Sequence, residues 1–467
     1  MKKSLLWMVV LILSISMVAA FSLYGCKPEA EEEVAAEEEV AEEEAAEEEV
    51  AEEEVAEEEE EVDLQAPKTV SFLTIWDEAT AGSLIIKTLT DEYIADHPNF
   101  ALELEVAAQA SELDPKISTY SAADELPELF VNQNNQVLKG LVDAGQVVNI
   151  DENFADGVDL GVPPAIRNGI MNIVGTDALY ALPTENNIEG IWYNKQIFAD
   201  NNLEVPTTVD EMLAVAETLK GLGIQPFAAS GEQRWPLTRL IANIAMRILG
   251  TDCIVQANSG ELSFTDPAFV EAATIVQEMG VNGYFGEGVN TITYDVANDA
   301  FLNGQAAMYY MGTWAIRDFN DETKNTLGPD GIGFFSFPAV EGGAGSTSDY
   351  IVSFGLLYVL AQNRFDAQVA DWAKYVFPKY SDLALSELGS IPCFELTSEP
   401  TDLQPYTQLV IDEMAKIENT GLWMEYGLAQ SVSDVATQNV QLLVLGDITP
   451  EEYCAQLDVA LQASLSE

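Results

Sequence analysis

The residues whose types could do chemistry fall into short clusters. Trp76-Asp77-Glu78 sets an indole beside two carboxylates, directly after the β-branched and aromatic run Lys68–Trp76. Asn132-Gln133-Asn134-Asn135 puts four amides in a row after a second apolar run, Pro127–Val131. Trp235 stands in Gly231-Glu232-Gln233-Arg234-Trp235-Pro236, ahead of an apolar helical stretch. An indole offers a flat apolar face. Amides donate and accept in one plane, and carboxylates accept. Together these types suit non-covalent recognition of a guest with apolar C–H faces and a rim of hydroxyls. Open α/β sheets place ligands at the carboxyl ends of strands, where residues 76–78 and 132–135 fall. A structural account exists for each cluster: a tryptophan can close a core, and amides are ordinary turn residues.

Composition removes several function classes. The 467 residues carry 19 basic and 79 acidic side chains, a net charge of −60. A polyanion of this size does not bind nucleic acid in general, nor dock on anionic lipid through a basic patch. One His leaves little for a histidine metal site or a histidine general base. Four Cys without a CxxC pair make neither a disulfide-dense scaffold nor a thiolate metal site. No Walker A pattern is present, so the chain is not expected to hydrolyse ATP. No cofactor and no metal are expected.

The first residues read as an address. Lys2 and Lys3 precede the apolar run Leu5–Phe21, which ends at Leu23-Tyr24-Gly25-Cys26. This resembles a bacterial lipoprotein signal, which implies cleavage after residue 25 and lipidation of Cys26. A plain membrane anchor is the alternative. Of the 33 residues from 29 to 61, 21 are Glu and the rest are mostly Ala and Val. Nothing there can be buried in a core, and like charges at i,i+4 repel. Residues 26–62 are therefore expected to be a lipidated Cys and a disordered tether. From Asp63 onward 58 acidic and 16 basic residues remain, an acidic surface suited to a saline medium or arising by drift.

The body alternates strand and helix patterns. Lys68–Trp76 predicts a strand, Ala81–Asp96 a helix, Phe100–Val106 a strand, Asp114–Ala123 a helix and Pro127–Val131 a strand. This is the pattern of a parallel α/β sheet. Thr208-Val209-Asp210-Glu211 and Thr449-Pro450-Glu451-Glu452 predict capping boxes, and Asp266-Pro267 predicts a further helix start. Trp192 and Tyr193 are expected in a strand core.

Four stretches in order carry a family resemblance. They are ALYALPTENNIEGIWYNKQIF ending at Phe198, VPTTVDEMLAVAETLKGLGIQPF from Val205, AFLNGQAAMYYMGTW from Ala300 and LGDITPEEYCAQLDVAL from Leu445. Together they resemble the family 1 extracellular solute-binding proteins, the maltose-binding-protein-like sugar receptors of ABC transporters. The resemblance implies an α/β, two-lobed periplasmic-binding-protein fold (type II) with a ligand cleft at the hinge. It implies residues 1–25 as signal peptide, 67–183 as the first part of lobe 1 and 184–348 as the first part of lobe 2. It continues with 349–397 as the second part of lobe 1 and 398–467 as C-terminal helices mainly on lobe 2.

The same resemblance implies a site. Glu185, Asn186 and Asn187 would contact ligand from the hinge. Trp314 would stack on a sugar, and the loops of Trp76, Asp77 and Glu78 and of Asn132, Gln133 and Asn135 would face the ligand; Trp235, Asp349 and Trp423 are further candidate contacts read from the residues themselves. Ser348-Asp349-Tyr350 would mark the second crossing. The implied function is capture of a sugar or oligosaccharide by a lipid-anchored, monomeric, extracytoplasmic protein of the cell envelope, and delivery to ABC permease subunits without chemistry on the ligand. A secreted glycoside hydrolase, which needs only two positioned carboxylates, is the enzyme alternative. A surface or chemoreceptor binding protein without a transport role is the other. Cys253, Cys393 and Cys454 allow at most one internal bridge.

Overall fold

A computed structural model describes residues 63–108, 112–132, 135–424 and 428–466. The expected signal, Cys26, the Glu-rich segment and Gln133 lie outside the described residues. In chain order the first half runs β1 (Lys68–Thr74), α1 (Ala81–Ile94), β2 (Phe100–Val106), α2 (Leu113–Ala123), β3 (Leu129–Asn132), α3 (Asn135–Asp143), α4 (Pro164–Val174), β4 (Asn187–Asn194), α5 (Val209–Gly221), β5 (Gln225–Ala228) and α6 (Trp235–Leu249). It continues α7 (Pro267–Val281), α8 (Tyr294–Leu302), β6 (Ala306–Gly312), β7 (Ile332–Phe335), β8 (Asp349–Ser353), β9 (Leu357–Leu360), α9 (Ala367–Leu388), α10 (Pro405–Met414), β10 (Asn419–Gly421), α11 (Gln430–Leu445) and α12 (Pro450–Leu465).

Two sheets divide these strands. The first has the order β2-β1-β3-β9, with β1 parallel to β2 and β3, and β9 antiparallel to β3. The second has the order β10-β8-β4-β6-β5, with β7 also paired to β4. Each sheet has its own core. Phe72, Ile85, Phe130, Tyr358 and Trp372 are packed around the first. The second is covered on one face by α6, α7, α11 and α12 through residues such as Leu240, Val276, Val440 and Leu457. Its other face holds Trp192, Phe301, Tyr309 and Tyr406. Two sheets with separate cores are two lobes. Among the described residues no helix is long and apolar enough to cross a membrane.

The local chemistry that predicted the elements is present. Thr208 accepts from Glu211 N–H while the Glu211 carboxylate accepts from Thr208 N–H at 3.2 Å, a complete capping box. Thr449 and Glu452 do the same for α12. Asp266 caps Pro267–Val281 through Ala268 N–H. Trp192 is fully buried on β4 and donates to the Met311 carbonyl at 3.0 Å, while Tyr193 packs half-buried against Phe198 and Phe335. Cys253, Cys393 and Cys454 are buried free thiols.

The chain passes between the lobes three times. The outgoing passage is Pro183–Asn186, between the Leu182 bridge to Tyr358 and the start of β4. The return lies at Phe354–Leu356, between β8 in the second sheet and β9 in the first. Asp349 therefore belongs to the second sheet, and the second crossing falls five residues later than the sequence pattern suggested. The apolar run 351–360 reads as one element, but Gly355 breaks it with φ +70°. A Cβ there would stand 2.1 Å from the Thr184 hydroxyl, so glycine allows the two passages to lie against each other. Thr184 N–H and Glu185 N–H both donate to the Phe354 carbonyl, at 3.0 and 3.2 Å. The third passage, 389–404, buries Ile391 in the second lobe and Cys393 and Phe394 in the first.

Replacing the cap at Thr208 tests the local reading. Thr208→Ala should cost about 1 kcal/mol of stability, measured as a lower urea midpoint at unchanged slope.

Candidate ligand-binding cleft

The strand ends of both sheets meet where the passages cross. On the first lobe, β1 ends before Trp76, β3 ends at Asn132, and β9 starts beside Tyr358. On the second, β5 ends before Ser230, β6 ends before Trp314, and β4 starts at Asn187. The helices α6 and α8 open at the same edge with Trp235 and Tyr294.

The second lobe gathers three indoles around one guanidinium. Trp235 and Trp314 lie 5.8 Å apart, and Trp314 and Trp423 lie 5.9 Å apart edge to face. The Arg239 guanidinium carbon is 3.6 Å from the Trp423 ring centre, 4.3 Å from Trp235 and 5.9 Å from Trp314. Arg239 is 7% exposed and donates to Glu189 on β4 at 2.7 Å. The Glu189 carboxylate also accepts from the Tyr310 hydroxyl, which accepts from Asn243 Nδ2 at 2.8 Å. Cation–π attraction and the ion pair thus fix the indoles relative to the sheet. Trp423 is 6% exposed and backs the cluster, while Trp235 and Trp314 are half-buried.

Backbone geometry aims two of these rings. Gly312 has no Cβ where the Trp314 ring folds back, and a Cβ would meet it at 1.9 Å. Arg234 has φ +67° and ψ −44°, and Trp235 N–H donates to the Gln233 carbonyl at 2.7 Å. That is a γ-turn in its strained form, a conformation seen where a site holds its geometry against local cost.

The hinge supplies a carboxylate. Glu185 sits half-buried in the outgoing passage and accepts from Asn187 Nδ2 at 2.6 Å. Burial pushes its carboxyl above the ordinary range, partly offset by Arg317 and by the Asn187 amide. Its backbone N–H donates to the Phe354 carbonyl of the return passage at 3.2 Å, which places it between the lobes. Trp76 packs on the first lobe near Gly82, beside the hydroxyls of Tyr358 and Tyr380. Asn132 is 1% exposed, and neither atom of its amide has a hydrogen-bond partner. A buried amide without partners is costly, which marks Asn132 as an unsatisfied polar position of the first lobe.

Other expected contacts are occupied otherwise. Asn187 has both ends engaged, donating to Glu185 and accepting from Thr313 at 2.9 Å. Asn186 reaches the Pro392 carbonyl at 3.5 Å, joining the outgoing and third passages. Asp349 is not presented to a guest. It is 4% exposed, and its oxygens accept from Ser346 N–H at 2.6 Å and Asn419 Nδ2 at 2.8 Å. Asp77 is exposed and closes a turn with Ala79 N–H at 2.9 Å, and Glu78 is exposed in the same loop. Asn135 opens α3.

The sequence reading missed Arg239, Glu189 and Arg317. A signal for the first was present. Trp235, Arg239, Asn243 and Arg247 recur every four residues along a helix that is otherwise apolar, which places them on one stripe. Two arginines on a buried helix must each find partners. Arg247 does so through the Phe337 and Asp349 carbonyls at 2.9 Å, and burial lowers its pKa to about 10.

Residues 77–377 match the family described as bacterial extracellular solute-binding protein. The chain belongs to this family. Among curated relatives, an uncharacterized ABC transporter extracellular-binding protein of Pyrococcus horikoshii is 26% identical over 51% of this chain and 54% of its own length. A multiple sugar-binding protein of Streptococcus mutans is 26% identical over 50% of this chain and 56% of its own. The chain thus spans about half the length of the curated relatives it matches. Among solved structures, a chitin oligosaccharide binding protein superposes with TM-score 0.76 at 20% identity, covering 86% of this chain and all of the other. A raffinose complex of the solute-binding protein RafE gives 0.66 at 19%, over 85% and 99%. These likenesses show the two-lobed solute-binding fold.

The Arg239–Glu189 pair of this solute-binding protein can be tested directly. Arg239→Met should destabilise by about 3–5 kcal/mol, because Glu189 is left buried and unpaired. Arg239→Met with Glu189→Gln should regain part of that, both read from urea unfolding.

Proposed function

We propose that this chain captures a sugar or oligosaccharide between its lobes and hands it to ABC permease subunits. The observation that carries this reading is the set of three indoles held around Arg239 at the strand-end edge of the second lobe. Flat apolar faces at fixed angles fit the C–H faces of pyranose rings. Trp76 and the unpartnered amide of Asn132 supply the facing wall from the first lobe. Names of relatives support the ligand class: multiple sugars for the Streptococcus mutans protein, and α-glucosides for a Rhizobium meliloti periplasmic protein 29% identical over 35% of this chain.

Ligand contacts are assigned to Trp76, Asn132, Glu185, Trp235 and Trp314, with Trp423 backing the indoles. The protein binds without chemistry on the guest. Two buried carboxylates of the second lobe are already engaged, Glu189 by Arg239 and Tyr310 and Asp349 by Ser346 and Asn419, and are not free to act on a guest. The chain works as a monomer outside the cytoplasm, anchored through a lipid on Cys26 and held off the membrane by the Glu-rich segment.

A guest that binds only the folded protein raises its stability by about 2.7 kcal/mol at a concentration of 100 Kd. A carbohydrate panel should therefore contain members that raise Tm, and Trp314→Ala should abolish that rise while the protein stays folded. A panel with no effect, alongside a shift by peptides or polyamines, overturns the ligand class. Cys26→Ala should move the protein from the membrane fraction to the soluble fraction of cells, with sugar binding unchanged.

A further inference from the structure

The loop that carries Trp235 is held by a side chain 210 positions further along the sequence. It runs from the end of β5 to the start of α6, and its strained residue is Arg234. A non-glycine residue in that conformation persists only where its surroundings over-determine it. The loop's own polar side chains do little to restrain it: Ser230 Oγ and Gln233 Oε1 are buried with no hydrogen-bond partner. A neighbouring loop and a helix do more. Gly231 N–H donates to the Val289 carbonyl and Glu232 N–H to the Ile292 carbonyl, both at 3.2 Å. This approach needs glycine, since a Cβ at Gly231 would stand 2.7 Å from the Val289 oxygen.

Gln441 on α11 ties both loops to the helix layer. Its Nε2 donates to the Gly231 carbonyl at 2.8 Å and to the Asn290 carbonyl at 3.4 Å. Its own backbone carbonyl accepts from Asn290 Nδ2 at 3.0 Å. The flanking Val440 and Leu443 are fully buried in the core of the second lobe, so the helix that presents the amide is anchored. A primary amide carries two N–H donors, and one side chain can therefore hold two carbonyls from different loops in a fixed relation.

We propose that Gln441 is a positioning residue for Trp235. Its amide clamps residues 231–232 against 289–292, which keeps the Arg234 turn in its strained form and the indole 4.3 Å from the Arg239 guanidinium carbon. Gln441 acts on the guest only through this ring. The consequence for binding rests on the sugar-binding reading, in which Trp235 is a ligand contact.

The test starts from Gln441→Met, which keeps the length of the side chain and removes its donors. In the full chain without ligand, near-ultraviolet circular dichroism should change in the tryptophan bands, because Trp235 and Trp314 lie 5.8 Å apart and their coupling depends on their mutual angle. In a Trp235→Phe background the same substitution should leave the remaining bands as they are. With the tightest neutral sugar of the panel, calorimetry should show Gln441→Met weakening binding by roughly tenfold, the scale of one hydrogen bond. In a Trp235→Ala background it should cost little further affinity, since both changes act on one contact. Adding Arg234→Gly to Gln441→Met should restore most of the affinity, because glycine enters the positive-φ conformation without steric cost. General loosening of the lobe would not be repaired at that position. Asn290→Ala removes the opposing bond of the clamp, should shift the same bands, and serves if the Gln441 variant does not fold. Unchanged spectra in both variants, unchanged sugar affinity in Gln441→Met, or an affinity loss as large without Trp235 as with it, overturns the clamp and leaves the sugar-binding reading in place. If no sugar binds the unaltered protein, the sugar-binding reading falls, and the spectra alone decide the clamp.

Discussion

The contact between Arg239 and Glu189 organises the second lobe's edge. A guanidinium at 7% exposure needs a counter-charge and donors' partners, and Glu189 at 2% exposure needs the same in reverse. Each makes the other tolerable in a low-dielectric setting. The flat guanidinium then offers its faces to Trp235 and Trp423, which places aromatic surface where the strands end. An aliphatic core would bury as well but would not hold indoles at defined angles.

The hinge shows a different economy of contacts. Three passages lie together, fixed by backbone bonds from Thr184 and Glu185 to Phe354 and by Asn186 reaching Pro392. These are few bonds, set between two large cores. Glu185 is placed in the passage itself, bonded to Phe354 of the return passage and to Asn187 at the start of β4.

Much of the fold was legible before any coordinates. Capping boxes at Thr208 and Thr449 act through residues three apart, so the sequence alone shows them. The alternating strands and the apolar helices follow from periods of two and 3.6 residues. The second crossing was misplaced because Ile351–Leu360 is apolar apart from Ser353 and Gly355. Only Gly355 marks the break, and one glycine in an apolar run says nothing about which sheet each half joins.

The candidate site was legible by type and not by partner. Trp76, Asn132, Trp235, Trp314 and Trp423 stand out as candidates because indoles and amides are chemically conspicuous, and Glu185 as a carboxylate beside two amides. Asp349 and Asn187 looked equally suitable, yet each is consumed by neighbours up to 126 residues away in sequence. Arg239 and Glu189, 50 residues apart, could not be paired from the chain order. By itself, then, the sequence determined elements, caps and the family, since these rest on interactions between near neighbours or on ordered motifs. The tertiary structure alone decided which polar groups remain unsatisfied, because satisfaction depends on what distant segments bring to the same few ångströms.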